Sequence, residues 1–287
     1  MITDCDLISL ETATRDLIGE DTPKYWTQAM CFRAINAEVA RLTRYIIDLD
    51  QGYFETLYTA TPTSGVLTLP RNPYKVRAVE VYRFDRWMPL SWVGAADRYK
   101  YLTMDSSVEA TAFRFTGSTI VLEPNQGGIT SARVIYSEAP PPLIYGTAAA
   151  GGAASLTLAA GVSPIDDIYN NQRVYVISGT SAGDTRIITD YVGSTRVATV
   201  AAWTTTTDVT TVYSTLLPDP LDRWSDLVAY GAALRLLLRR RDDNLIAMLQ
   251  AQYQLDLSRM LESLKRRQTD QSPRVRFIPD LDEMGVM

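Results

Sequence analysis

The chain has 287 residues, 46% hydrophobic and 21% charged, which excludes a disordered or fibrous protein and leaves room for two domains. It contains no histidine and only two cysteines, Cys5 and Cys31. That excludes Ser-His-Asp and Cys-His catalysis, His-ligated zinc or iron, and a disulfide framework. A net charge of −5 argues against a protein that coats nucleic acid with positive charge.

No stretch approaches the roughly 18–20 apolar residues of a membrane span, and the first six residues lack the pattern of a secretory signal. The two cysteines are compatible with a reducing cytoplasm. Of the 28 basic residues only Lys24, Lys75, Lys100 and Lys265 are lysines. Arginine's planar fork suits subunit contacts, and GC-rich coding would give the same bias.

In chain order, Leu7, Leu10, Thr14 and Leu17 repeat at helical spacing before Gly19, a natural C′ residue. Asp21-Thr22-Pro23 reads as the cap of a second helix with an apolar seam of Phe32, Ile35, Val39, Leu42 and Ile46. Its polar side is read as Arg33, Glu38, Arg41 and Arg44. From Gly52 the period changes to two: Tyr53 to Tyr58, Val66 to Leu69, Val76 to Phe84, Phe113 to Phe115, Thr119 to Leu122 and Ala132 to Tyr136 predict short strands. Together they predict one compact antiparallel sheet or small barrel, ended by Pro140-Pro141-Pro142.

Residues 147 to 212 change in composition: there are 13 threonines, eight charged residues, and neither Lys nor Glu. Strand-like stretches separated by Gly/Ser/Thr turns predict an inserted all-β unit between Pro-rich junctions. Helices return at Leu221, break at Asp242-Asp243-Asn244, and continue through Leu264. The expected fold class is therefore α+β, with N- and C-terminal helices forming a helical bundle. The expected divisions are helices 1–51, a β body 52–142, an inserted β domain 147–214, helices 217–267 and an extended tail 268–287.

Few motifs carry chemistry. Gly179-Thr180-Ser181-Ala182-Gly183 matches a nucleophile elbow, yet it lies between two strands in a chain without a base, so the glycines read as turn residues. Asp166-Asp167 and Asp242-Asp243 read as loop and cap residues rather than paired catalytic or cation-binding acids. Arg239-Arg240-Arg241 falls in the last turn of a helix, where cations favour the dipole. Gly231, Ala232 and Ala233 leave room for a neighbouring helix or subunit. In the tail, Arg274, Val275, Arg276, Phe277, Ile278 and Leu281 carry the apolar content and alternation of a strand added to a partner. No catalytic residue, metal ligand or cofactor is expected.

Three stretches resemble the head-to-tail adaptor (connector) proteins of tailed bacteriophages. The first is the N-terminal helix pair leading into Val66-Leu67-Thr68-Leu69-Pro70, Val76 to Tyr82 and Trp87-Met88-Pro89-Leu90. The second runs from Leu217-Pro218-Asp219-Pro220 through Trp224 to Tyr230-Gly231-Ala232-Ala233. The third, Asp166 to Asn170 with Ser178 to Tyr191, is similar to a small β module of phage virion proteins. The resemblance implies a non-enzymatic virion protein at the head–tail junction, assembled in the host cytoplasm as a ring of about twelve copies. Its partners would be the portal protein, a tail or nozzle protein and further copies of itself. DNA would pass through the lumen without specific binding, helped by an acidic ring. Portal or subunit contacts would come from Trp224, Gly231, Arg235, Arg239, Arg240 and Arg241, and from tail residues 274–278 and 281. The β insertion departs from the minimal adaptor pattern. A receptor- or glycan-binding virion protein and a tail-terminator ring are the alternative readings.

Overall fold

The computed structural model describes residues 5–20, 24–49, 52–70, 73–97, 99–102, 110–124, 129–138, 140–238 and 243–265. Within them lie helices α1 (Leu7–Ile18), α2 (Gln28–Asp48), α3 (Tyr99–Leu102), α4 (Ser225–Leu237) and α5 (Asp243–Lys265). The β body holds β1 (Glu55–Ala60), β2 (Val66–Thr68), β3 (Lys75–Arg83), β4 (Arg86–Pro89), β5 (Ser91–Trp92), β6 (Ala112–Thr116), β7 (Thr119–Glu123) and β8 (Ala132–Ser137). After the prolines come β9 (Tyr145–Thr147), β10 (Ala150–Gly151), β11 (Ser155–Thr157), β12 (Arg173–Ser178), β13 (Thr185–Val192), β14 (Val197–Val200) and β15 (Val212–Thr215). The protein is thus mixed α+β, with five α-helices and three sheets among the described residues.

Helix α1 begins where the Asp6 carboxylate accepts the amides of Ile8 (2.9 Å) and Ser9 (3.2 Å), and it ends at Gly19, whose φ of +66° a side chain would resist. The second helix starts at Gln28, later than the Thr22-Pro23 signal suggests. The reason is Glu20, whose carboxylate takes the amides of Lys24, Tyr25 and Trp26 and so holds those residues in a non-helical corner. Burial raises the Glu20 carboxyl, but these three donors and Arg15 outweigh it and leave it below the ordinary range. Arg15 locks the same corner, donating to Glu11 Oε1 (2.9 Å) and to the Trp26 carbonyl (3.0 Å). Helices α1, α2, α4 and α5 share one apolar cluster built on Leu10, Ile35, Leu42, Val228, Ala232 and Met260. Helices are not confined to the two ends of the chain, however, because α3 lies within the β body.

The β body is two sheets rather than the single sheet or barrel expected. Strands run β1-β8-β3-β4 in one and β2-β7-β6-β5 in the other, and β5 pairs with β6 in parallel. Their inner faces meet over Leu67, Val79, Val81, Ile120, Leu122, Val134 and Tyr136. Alternation in β8 puts Ala132, Val134 and Tyr136 inward, while Arg133 and Ile135 face outward beside Glu80 and Ala78. The period-two reading therefore located the strands, but alternation alone cannot say which strands share a sheet.

Residues 145–215 form a seven-stranded antiparallel sheet in the order β10-β11-β14-β13-β12-β15-β9, with its own buried cluster. Three tyrosines anchor the strand-free stretch between β11 and β12. The Tyr213 hydroxyl accepts from the Ala159 amide (2.8 Å), Tyr169 accepts from Ser163 (3.1 Å), and Tyr191 donates to the Ser163 carbonyl (2.7 Å). The unit docks on the helices through α1: the Leu7 amide donates to Ser214 Oγ (3.0 Å) and the Leu217 amide to the Cys5 carbonyl (2.9 Å). Asn36 of α2 holds the linker by exchanging two hydrogen bonds with the Leu143 backbone.

Two expectations follow. Gly146 and Tyr213 are already paired neighbours, so removing residues 147–212 behind a short Gly/Ser linker leaves ends that meet. With Tyr213→Ser added to spare an uncovered aromatic, the remainder should keep its helical circular dichroism and unfold cooperatively. Loss of that cooperativity would show that the helices depend on the sheet. Burial pushes the Tyr213 hydroxyl from 10.0 up to about 12, so the unfolded chain releases this proton first. Its contribution is complete below pH 10 and should be lost between pH 10 and 12, by up to about 2–3 kcal/mol. Urea midpoints across that window should fall less steeply in Tyr213→Phe than in the parent.

Candidate functional site

The first polar constellation sits inside the helical core. Glu38 on α2 is wholly buried, not on the solvent side as its sequence neighbours Arg41 and Arg44 suggest. Its Oε1 accepts from Tyr253 of α5 (2.8 Å) and from Arg41 Nε (3.1 Å), and its Oε2 accepts from Arg235 Nε of α4 (3.0 Å). Gly231 makes the space: a Cβ built on it would overlap the Glu38 carboxyl carbon. The Arg41 guanidinium lies 4.9 Å from the Tyr253 ring. Burial first, and then the Glu38 charge, push the Tyr253 hydroxyl far above the ordinary phenol range, so it remains a donor. The burial of α2 is wider than its apolar seam because α1 and α4 both pack on it, and Cys31, Ala34 and Glu38 are covered along with the seam.

A second constellation lines a cleft where helices, β body and seven-stranded sheet meet. One cavity of about 400 Å³ is walled by Phe54, Glu138, Pro141, Gln172, Ile187 and Leu216, among others. Another, of about 480 Å³, is walled by Tyr53, Asp222, Arg223, Trp224, Ser263 and Leu264. Asp219 lines both. Arg173, first residue of β12, donates to the Leu217 carbonyl (2.8 Å) and to Asp222 Oδ2 (3.2 Å), and its guanidinium lies 3.4 Å from Asp219 Oδ1. The Asp219 carboxyl is held above the ordinary range by its contact with Asp222, then by burial and like charge, against the pull of Arg173. Among the described residues two buried amide oxygens here have no donor, Asn170 Oδ1 and Gln172 Oε1.

The sequence-derived site residues divide. Gly231 and Arg235 meet at Glu38, so the neighbour that the small residues admit is a helix of the same chain. Trp224 is half-buried against the helical core and lines the cleft instead. Arg239, Arg240, Arg241 and the tail residues Arg274, Val275, Arg276, Phe277, Ile278 and Leu281 lie outside the described residues. Sequence reasoning missed Tyr253, Arg173, Gln172, Asp219 and Asp222 as a polar set.

Of the motifs, Ser181 follows Gly179 in the β12–β13 hairpin, and its hydroxyl donates to the Thr205 carbonyl. Asp166 caps the Gly193 amide (2.7 Å) and Asp167 accepts from Asn170 Nδ2 (2.9 Å), which are loop roles. Among the described residues no group of three or more His, Cys, Asp or Glu side chains could hold a metal ion, and no helix is long and apolar enough to cross a membrane. No protein-family model matches the chain, and no curated protein is similar to it in sequence.

The Glu38 hub gives a direct expectation. Gly231→Leu should lower stability by about 3 kcal/mol, because the new side chain must displace a buried carboxylate and its three partners. Glu38→Ala should cost about 2 kcal/mol, less than a fully buried ion pair, because both arginines can turn to solvent while Tyr253 cannot. Urea unfolding with unchanged m-values would measure both. A Gly231→Leu protein as stable as the parent would refute the packing role.

Proposed function

We propose that the chain is a structural virion subunit, a head-to-tail adaptor whose copies close into a ring between portal vertex and tail. The observation that carries this reading is the set of large apolar side chains that one copy leaves exposed. Leu57, Phe84, Trp92 and Tyr99 of the β body, and Leu238 and Met248 of the helices, are each more than half exposed. Single exposed apolar residues need no explanation. Here, however, Leu57 shares a row with Ile135 and Ala78, next to the row of Thr59, Arg133 and Glu80. Phe84 tops the β3–β4 hairpin above the Tyr82–Trp87 pair, whose rings are 5.2 Å apart. Phe84 and Asp85 take φ of +49° and +58°, a turn that favours Asn and Gly, so turn chemistry did not select the phenylalanine. These exposed apolar side chains, interleaved with the Arg133–Glu80 pair, make the mixed apolar and polar face that a repeated subunit contact uses.

On this reading α1, α2, α4 and α5 form a bundle that docks on the portal through Trp224 and Arg235, and Arg239, Arg240 and Arg241, outside the described residues, would add portal contacts. Tail residues 274–281 would add a strand to the portal, and the seven-stranded sheet would be an insertion carried by the adaptor. The net charge of −5 suits a lumen along which DNA slides without binding. The use of Ser181 and of the paired aspartates in loop contacts favours a structural role over an enzymatic one.

Sedimentation velocity of the full chain, alone and with the portal protein of the same phage, tests the reading. The expected result is a slow species alone and a ring of about twelve copies on the portal. Leu57→Glu with Phe84→Glu, both at exposed positions, should leave stability within about 0.5 kcal/mol and abolish the ring. A chain that ignores the portal and binds cell-surface glycans would replace the adaptor with a receptor-binding protein.

A further inference from the structure

The β3–β4 hairpin carries a knob. Phe84 is 74% exposed at its tip, and the two-residue turn Phe84-Asp85 has φ of +49° and +58°, the left-handed geometry that matches the twist of paired strands. Beneath it the Tyr82–Trp87 pair braces the hairpin, with the Arg133 guanidinium 4.4 Å from the Trp87 ring. The phenyl ring is therefore held out to solvent on a stiff support, and ordering that support in a contact costs little entropy. An apolar cavity lies at the other end of the same strand. It has a volume of about 390 Å³ and is walled by Pro73, Tyr74 and Val76 around the start of β3, and by Phe115 and Gly117 of the β6–β7 hairpin. A cavity of about 150 Å³ is enough for benzene, so this one takes a phenyl ring with its stem. Tyr74 and Phe115 are 45% and 38% exposed, so both present ring surface to an entering aromatic.

We propose that Phe84 of one copy seats in the cavity of Pro73, Tyr74 and Phe115 of the next copy. Knob and cavity cannot meet within one chain, because β3 holds them about 30 Å apart at its two ends. The occupant is thus a second copy, and the contact runs head to tail: each copy gives one ring and receives one. Contacts of that type close into a ring when the rotation between copies allows it. The buried area sets the strength of one such seat. An aromatic brings about 150–250 Å² of its own surface, against the roughly 1,200–2,000 Å² of total surface in a stable pair. One seat is therefore too small to hold two free copies together. A closed ring differs, since no copy leaves it without breaking two seats at once. The inference rests on the ring reading above and adds what the exposed hairpin touches.

Trapping with a short bis-maleimide tests the seat on the full chain carrying Arg86→Cys beside the knob and Thr116→Cys beside the cavity. Both positions are exposed, whereas the native Cys5 and Cys31 are buried, so the introduced thiols react first. Concentrated chain, with and without the portal protein, should give a ladder of cross-linked multimers that continues beyond the dimer. Phe84→Ala in that background should cut the ladder by about ten-fold or more, the worth of burying an aromatic side chain. Tyr74→Glu, which puts a carboxylate at the cavity wall, should do the same, and the two together should do no more than either alone. Both substitutions are at exposed positions, so urea midpoints should stay near the parent's. No ladder in the parent, a ladder that stops at the dimer, or one that survives Phe84→Ala would each overturn the seat. Sedimentation on the portal keeps the two readings apart. Rings on the portal without a Phe84-dependent ladder remove the seat and keep the adaptor, and a Phe84-dependent ladder in a chain that ignores the portal does the reverse.

Discussion

A single buried carboxylate organises the helical half of this protein. Glu38 draws a hydrogen bond from α5 through Tyr253, an ion pair from α4 through Arg235, and another from its own helix through Arg41. Three helices therefore have one relative register in which its charge is compensated. Apolar side chains alone would tolerate sliding, because Leu on Leu is satisfied in many registers. A buried charge is not, since any shift that separates it from its donors leaves it uncompensated in a medium of low polarisability. Gly231 is the other half of the same constraint, because α4 can approach α2 over Glu38 only where no side chain intervenes.

The Arg15 corner does comparable work one helix earlier. Glu11 and Glu20 both turn to Arg15, and Glu20 also satisfies three amides between α1 and α2, so charge-assisted bonds add to the Gly19 cap in closing the helix pair. The position of α1 then sets that of the seven-stranded sheet, because Cys5 and Leu7 bond to Leu217 and Ser214 beyond and within β15. The cleft is a consequence of this chain of attachments. It opens where a sheet fixed through α1 meets a β body fixed through Arg77, which donates to the Ile47 carbonyl at the end of α2 (3.1 Å) and pairs with Glu55 of β1.

Much of the local structure was legible in the sequence, and the reasons are local. Helical spacing marked α1 and α2, alternation marked β1, β3 and β8, and the Thr-rich composition marked the seven-stranded sheet, since each of these signals depends on residues near in sequence. The division of the β body into two sheets was not legible, because strand partners such as Leu57 and Ile135 are distant in sequence and alternation is the same in either arrangement. The start of α2 was misread because a capping signal at Thr22-Pro23 competes with a carboxylate at Glu20 whose reach only the folded corner reveals. The polar sites were least legible. Glu38 stands among Arg33, Arg41 and Arg44, and from sequence it belongs to a solvated stripe. Only the arrival of α4 and α5 on that flank buries it.

The excess of arginine over lysine has a physical reading inside the chain. Arg133 pairs with Glu80 while its guanidinium lies 4.4 Å from the Trp87 ring, and Arg186 pairs with Asp184 while lying 5.7 Å from Trp203. Arg15, Arg41 and Arg173 each serve at least two acceptors or an acceptor and a ring. Lysine, a compact and strongly hydrated cation, cannot fork between two groups in this way or stack flat on a ring. The sequence suggested arginines for subunit contacts, yet these are engaged within one copy. An assembly built from such a chain would rely less on these cations and more on the apolar side chains that one copy leaves uncovered, Leu57, Phe84 and Trp92 foremost. Contacts of that kind are strengthened by burial and only weakly screened by salt, so a ring formed through them would persist at ionic strengths that dissolve purely electrostatic assemblies.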